Sequence, residues 1–271
     1  MPTPFRRRAR LLLTSRSNNP SPMTKHLLLA VFAATLPVAA QSTYKAPRTW
    51  GDKPDLQGIW QAQNTASYDL EAHTASTGVP AGPGVIVDPP DGKIPYLPAG
   101  LAKKQQNFKN RATADPVAKC FMPGVPRFTY MPFPIQIYQT PKFAIITSEY
   151  IHNDRTIYLD GSKHLDGVDF YDGDSRGRWE GDTLVVDVAD FNDETWFDRA
   201  GNYHSDALHV VERYTRTGPD TLTYEATIED PKVFTRPWKI SMPLALHKEK
   251  NFRLLEYECH AYLEDAAKED K

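Results

Sequence analysis

The stretch GRWEGDTLVVDV, Gly177 to Val188, decides the fold class of this chain. A two-residue turn at Gly181-Asp182, of the kind that wants glycine first, sets Trp179 opposite Leu184 and Gly177 opposite Val186. Trp179, Leu184, Val186 and Val188 then share a buried face, while Arg178, Glu180, Thr183 and Asp187 look outward. Asp187 is accordingly expected as a surface carboxylate. An antiparallel hairpin with one dry and one wet face is the unit from which an all-β domain is built.

The same punctuation recurs on both sides of it. From Phe133 onward, strand-like runs are separated by turn residues, near 134–140, 142–151, 154–160, 176–180, 183–190, 207–217, 221–229, 234–242 and 251–260. A first strand lies in DLQGIWQAQ, Asp55 to Gln63. About ten strands joined in order predict an all-β, antiparallel up-and-down meander closed as a barrel of about 8–10 strands. Between the first strand and the rest, residues 64–126 turn rich in Gly, Pro and Ala, with one helix-compatible patch, AGLAKKQQNFKNRA, at 99–112. This insertion is expected to wrap the surface rather than build the core.

Residues 1–40 read as a signal-peptide region. From Met23 the chain has a basic start at Lys25, an apolar run from Leu27 to Leu36, and small residues Val38 and Ala40 placed for cleavage before Gln41. Met23 makes a complete signal without the upstream basic segment. The expected organisation is then a tail over 41–54, a single β domain over 55–264 and a charged tail over 265–271. Removing residues 1–40 takes away six of the 32 Lys and Arg and none of the 34 Asp and Glu, leaving 26 basic against 34 acidic residues, a formal −8. An acidic chain without a basic stripe is a poor ligand for nucleic acid or an anionic membrane. No remaining apolar run approaches the roughly 18 to 20 residues of a membrane helix. The expected partner is a small molecule, in an exported, periplasmic or extracellular setting. Cys120 and Cys259 both survive processing; a disulfide between them and a pair of buried free thiols are both open.

Two further hairpins place charge near the interior. In SEYIHNDRTIYLD, an Asn153-Asp154 turn sets His152 opposite Arg155, Tyr150 opposite Ile157 and Glu149 opposite Tyr158. The faces are mixed: Ile146, Tyr150, Ile157 and Leu159 on one side, Ile145, Glu149, Ile151 and Tyr158 on the other. Glu149 and Tyr158 are therefore candidates to face a ligand. Between ALHVVERYTR and TLTYEATIE, a turn pairing Gly218 with Thr221 brings His209 and Arg213 onto the face of Leu222, Tyr224, Ala226 and Ile228. A loop one residue longer or shorter would place Glu212 there instead.

The connector NDETWFDRAGNYHSDA, Asn192 to Ala207, is unusually chemical for a link between strands. In a meander, loops two strands apart share an end, so this connector, the loop 160–175 and the turn EDPKVFTRPW should gather at one mouth. That brings together His164, Asp172, Asp174, Trp196, Asp198, His204, Arg236 and Trp238. Asp198 and His204 form the preferred acid–base pair, a carboxylate fixing the tautomer of an imidazole. Equally, both side chains suit loop-anchoring hydrogen bonds. Trp196 suits a ligand platform or a loop pin. Arg213 and Arg236 suit an anionic group or developing oxyanion. A second arrangement, His164 and His204 with Asp198 as metal ligands, lacks HxH or HExxH spacing, so no metal and no cofactor are expected. There is no G-x-S-x-G elbow, phosphate loop or dinucleotide fingerprint.

Two resemblances bear on this reading. GIW at Gly58–Trp60 on the first strand resembles the lipocalin Gly-x-Trp signature, which implies a lipocalin-like barrel with the Trp beneath a basic side chain, here Arg253. The segments PDLQGIW, CFMPGVPR, QIYQTP, GRWEGDTLVVDV, FNDETWFDRAGNYHSDALHVVERYTR, EDPKVFTRPW and LLEYEC, spanning Pro54 to Tyr262, resemble a large family of uncharacterised exported bacterial proteins. That resemblance implies export and a shared design, and it implies no activity. The functional expectation is a barrel binding a small, largely apolar or aromatic ligand at its mouth. The alternative is a lyase, isomerase or hydrolase using His204 and Asp198 on the same scaffold.

Overall fold

A computed structural model describes residues 44–269, with side chains to 265. The expected signal-peptide region 1–40, the first residues of the expected 41–54 tail and the last two residues of the charged end, 270–271, lie outside the described residues. Among the described residues ten strands form: β1 (Gly58–Ala62), β2 (Ile86–Asp88), β3 (Ile135–Gln139), β4 (Phe143–Ser148), β5 (Asp154–Tyr158), β6 (Asp174–Glu180), β7 (Thr183–Ala189), β8 (His209–Gly218), β9 (Thr221–Glu229) and β10 (Trp238–Leu246). Three α-helices accompany them: α1 (Pro98–Ala114), α2 (Arg127–Tyr130) and α3 (Cys259–Glu269). Strand order is β1-β3-β4-β5-β6-β7-β8-β9-β10, and β10 pairs back with β1, closing a nine-stranded barrel with β2 added outside β10. The all-β barrel expected from the sequence is therefore present.

The β6–β7 hairpin has the expected register, Trp179 against Leu184 and Gly177 against Val186. Gly181 supplies the positive φ, +58°, that the turn needs. Leu184, Val186 and Val188 are fully buried. They join Trp60, Tyr214, Tyr224, Trp238, Ile240 and Leu244 in an interior filled with side chains.

Three expectations are corrected. First, the meander is broken once: β5 and β6 run parallel and touch at one position, Tyr158 against Arg176. Residues 159–173 therefore return along the outside of the barrel as a strap. Where the strands converge, a Cβ at Gly177 would fall 2.6 Å from both Ile157 and Leu159, so this part of the seam requires glycine. Second, residues 251–260 form no strand; the chain runs irregularly into α3, which crosses the boundary expected near 264. Third, the insertion does more than wrap. Ala66, Leu70, Ile94 and Val125 join the core. All four residues of α2 are buried at the end of the barrel that carries the long loops 190–208 and 230–237.

Cys120 and Cys259 are bridged, closing a separation of 139 residues and tying α3 to the insertion. Tyr150, Met131, Phe133 and Tyr257 pack around the bridge as a second small core. Arg216 lies over the Trp60 ring at 5.5 Å and donates to the Asp55 carbonyl. It takes the place expected for Arg253, which is exposed.

Candidate functional site

The β8–β9 turn pairs Gly218 with Thr221 as expected, but the next pair is Arg216 with Leu222, leaving Thr217 as a bulge. One extra residue inverts the faces of β8. His209 and Arg213 therefore point outward, and Glu212 points in between Val210 and Tyr214. Arg213 instead pairs with Glu180 on the surface at 2.9 Å. The β4–β5 connection also differs: Ile146 faces Arg155 and Ala144 faces Ile157, so the turn spans 149–153 rather than two residues. Its slip of an even number of positions keeps Ile146 and Ile157 inside and puts Arg155 inside with them.

Arg155 and Glu212, 3% and 0% exposed, meet inside the wall as an ion pair from β5 to β8. The other carboxylate oxygen of Glu212 accepts from Tyr214 at 3.1 Å and Tyr224 at 2.8 Å. Thr129 of α2 is hydrogen-bonded to the Tyr214 hydroxyl at 3.1 Å. Arg155 Nε donates to Ser175 Oγ on β6 at 3.0 Å. Burial works against the guanidinium charge, but Glu212 outweighs it and holds the Arg155 pKa above its ordinary value. Burial also pushes the Tyr214 hydroxyl up, and the Glu212 charge adds to this. Both tyrosines therefore remain hydrogen-bond donors.

Where β5 and β6 splay beyond their single contact, a cavity of about 390 Å³ lies between β5 and the strap. Asn153, Arg155, Asp172 and Ser175 are among its lining residues, and Met122, Tyr158, Leu165 and Tyr171 stand exposed around it. Asp172 Oδ2 accepts from Asn153 Nδ2 at 2.6 Å. Burial raises the Asp172 pKa, opposed by the Asn153 hydrogen bond and the Arg155 charge. Arg155 Nη1 and Asp172 Oδ1 have no solvent contact, so the cavity does not reach either atom.

His164 holds the strap against the outer wall. Its Nδ1 faces Asp174 at 3.2 Å and its Nε2 faces Asp187 at 2.9 Å, with His209 on the same Asp187 at 3.2 Å. Burial opposes the Asp187 charge, but the His164 and His209 contacts outweigh it and lower its pKa. His164, Asp174 and Asp190 offer ligand atoms within 4.8 Å of one another. Asp174 Oδ2, however, already takes Arg176 at 2.8 Å and the Leu165 N–H at 3.1 Å. The group works as a hydrogen-bonded clasp.

The remaining candidates are dispersed. Asp198 and His204, 0% and 1% exposed, share no hydrogen bond. Asp198 accepts from Leu70 N at 2.9 Å, Asn202 N at 3.2 Å and Asn202 Nδ2 at 2.6 Å. Burial, reinforced by Asp69, pushes its pKa up to about 7. His204 is bonded to the Ser205 carbonyl through Nδ1 and to Thr195 Oγ1 through Nε2, and burial lowers its pKa. A neutral ring with its proton on Nδ1 satisfies both contacts. The pair anchors the loop and has no solvent route to a ligand, and neither residue is brought into one ligand set with His164. Trp196 packs against the core, bridged to Tyr203. Trp238 is core, and Arg236 pairs with Asp88 on the surface at 3.0 Å. Glu149 faces away from the interior and accepts from Leu255 N at 2.8 Å. Of the expected ligand contacts, only Tyr158 lines the cavity, its ring under the Arg176 guanidinium at 4.6 Å. Arg155 was findable: strand alternation already gives it the parity of Ile157.

Comparison of the chain with family models, with curated proteins and with solved structures returns no match. Among the described residues, no helix is long and apolar enough to cross a membrane.

Proposed function

We propose that this barrel is a small-molecule-binding protein whose ligand sits between β5 and the strap, its apolar or aromatic body against Tyr158, Tyr171, Met122 and Leu165. The observation that carries this is a cavity of about 390 Å³ at the break in the β5–β6 ladder, with exposed apolar side chains around it. Small-molecule sites combine such an apolar lining with a few oriented polar groups. The barrel centre offers no comparable space, because Trp60, Trp238, Tyr214, Tyr224 and Phe128 fill it. We further read the protein as exported and as a member of the exported bacterial family whose motifs it shares. The Lys25 to Ala40 pattern and the Cys120–Cys259 bridge support export, since such bridges persist in oxidising compartments.

The test is native mass spectrometry of protein purified from its producing cell, with extraction and identification of any copurifying molecule. Thr156, on the outer face of β5, lines the cavity, and Thr156→Trp would fill it. The variant should fold and lose the bound molecule. A molecule retained in full by Thr156→Trp would place binding elsewhere and overturn the proposal.

A further inference from the structure

The break that opens the cavity also leaves one side of β5 without a neighbour. On its other side β5 runs antiparallel to β4, with Arg155 opposite Ile146 and Ile157 opposite Ala144. The Asn153 carbonyl accepts from the Ser148 N–H at 2.8 Å and the Leu159 N–H donates to the Lys142 carbonyl at 2.7 Å, so the odd-numbered residues turn their backbone groups toward β4. Asp154, Thr156 and Tyr158 therefore turn theirs toward β6. Tyr158 meets β6 at Arg176, and the pairing goes no further. Among the described residues, the Asp154 N–H, the Asp154 carbonyl and the Thr156 N–H have no hydrogen-bond partner.

The cavity lies along that edge. Its lining includes Arg155 from the inward face of β5 together with Asp154, Thr156 and Tyr158 from the outward face, and a strand presents both faces to one space only along its edge. Thr156 is half-buried and Asp154 exposed, and Gly173 to Ser175 stand across the gap. A strand edge with unpaired backbone groups is a template for another extended chain. Charge then selects among such chains. Asp154 and Asp169 are exposed on the lining without a salt bridge among the described residues, whereas the Arg155 guanidinium is already met by Glu212. The site thus sets unopposed negative charge beside a free backbone edge, and the exposed rings of Tyr158 and Tyr171 beside both.

Resting on the binding site proposed above, we infer that its ligand is a short, basic, extended peptide that adds a strand to the open edge of β5, its backbone N–H donating to the Asp154 carbonyl and its backbone carbonyl accepting from the Thr156 N–H. A single residue running parallel to β5 makes both bonds, as in a parallel ladder. An aromatic side chain of the peptide packs on Tyr158 and Tyr171, and a lysine or arginine faces Asp154 and Asp169. The backbone bonds hold any extended sequence, and the side chains around the edge set the preference.

Four probes test this by isothermal titration on the purified protein, freed of any copurifying molecule: acetyl-Ala-Lys-Phe-Ala-amide, its form with Glu in place of Lys, and two forms of the parent carrying backbone N-methyl groups on the first and third or on the second and fourth residues. Alternate residues of an extended peptide turn their N–H groups to the same side, so at least one N-methylated form should bind about fivefold more weakly than the parent, the worth of one hydrogen bond. The Glu form should also bind more weakly than the parent. Amide hydrogen exchange followed by NMR reads the same contact from the protein: the Thr156 N–H should exchange faster than those of Arg155 and Ile157 in the free protein, and the parent peptide should slow it. Thr156 already as protected as Arg155 in the free protein would overturn the inference, because the edge would then be closed. So would both N-methylated forms binding as tightly as the parent, the Glu form binding best, no binding of any probe, or parent binding undiminished in Thr156→Trp. The site on which the inference rests is judged separately, by whether Thr156→Trp loses the molecule that copurifies with the unaltered protein.

Discussion

Replacing Arg155 by methionine removes the cation bonded to Glu212, a carboxylate with no solvent contact. Glu212 would be left with the hydroxyls of Tyr214 at 3.1 Å and Tyr224 at 2.8 Å and with no counter-charge. Breaking a buried pair from one side costs about 3–5 kcal/mol, because the remaining charge is uncompensated. Glu212→Gln breaks it from the other side. The amide oxygen still serves both tyrosines, but the guanidinium, 3% exposed, loses its partner, at a similar cost of about 3–5 kcal/mol. The double variant contains neither charge and should cost only about 2 kcal/mol, chiefly for an amide N–H₂ without an acceptor. Singles that sum to about 6–10 kcal/mol against a double near 2 imply a coupling of at least about 4 kcal/mol. Urea unfolding of the four proteins at pH 7, followed by tryptophan fluorescence, measures each term. A double variant within about 0.5 kcal/mol of the sum of the singles would mean independent sites and would refute the reasoning.

The remaining predictions concern the bridge and the loop. Reducing the Cys120–Cys259 bond, or replacing both cysteines by serine, should lower stability by about 5 kcal/mol in the chain-entropy model for a 139-residue separation. Urea midpoints with and without reductant check this, and equal midpoints would rule it out. Asp198 has its pKa raised to about 7 in the fold, against roughly 3.9 in the unfolded chain. The folded carboxyl thus keeps a proton that the unfolded one has released, so its contribution is fully present below about pH 4 and is lost as pH rises to about 7. Over that window stability should fall by about 4 kcal/mol relative to Asp198→Asn. A difference between the two proteins that does not change from pH 4.5 to 7.5 would contradict it.

What the sequence made legible was the part controlled by neighbours in the chain. The β6–β7 hairpin came out in register because Gly181-Asp182 fixes both the turn and the pairing, and alternation then assigns every face. The same reasoning failed on β8, although its turn pair was right. Thr217 bulges, and a bulge changes parity without any signature as strong as a turn glycine. Glu212 and Arg213 exchanged places through that single residue. On β4–β5 a wrong turn did little damage, because the error was an even number of positions. The loop 190–208 misled differently. Its Asp, His and Asn side chains looked available for chemistry, whereas a long loop folded over the end of a barrel must satisfy its own buried backbone, and these residues do that.

The site itself was hidden by a different kind of information. A meander of β strands alternates direction at every connection, and on that rule His164 belongs at the mouth beside His204. The strap from 159 to 173 breaks the rule once by running back along the wall, so β6 starts at the same end as β5. Two consequences follow from that single reversal. His164 is carried to the outer face, where Asp187 of β7 and Asp174 of β6 await it, and the wall is left with one pairing between β5 and β6 in place of a ladder. Without a ladder the strands part beside Arg155, and the strap that caused the gap also supplies one side of the cavity through Leu165 and Tyr171. The cavity and its outer cover are thus products of one topological event. No local pattern in the sequence around Arg155 records it, since the residues that meet there come from β5, β6, β8 and the strap, and only the closed barrel brings them together.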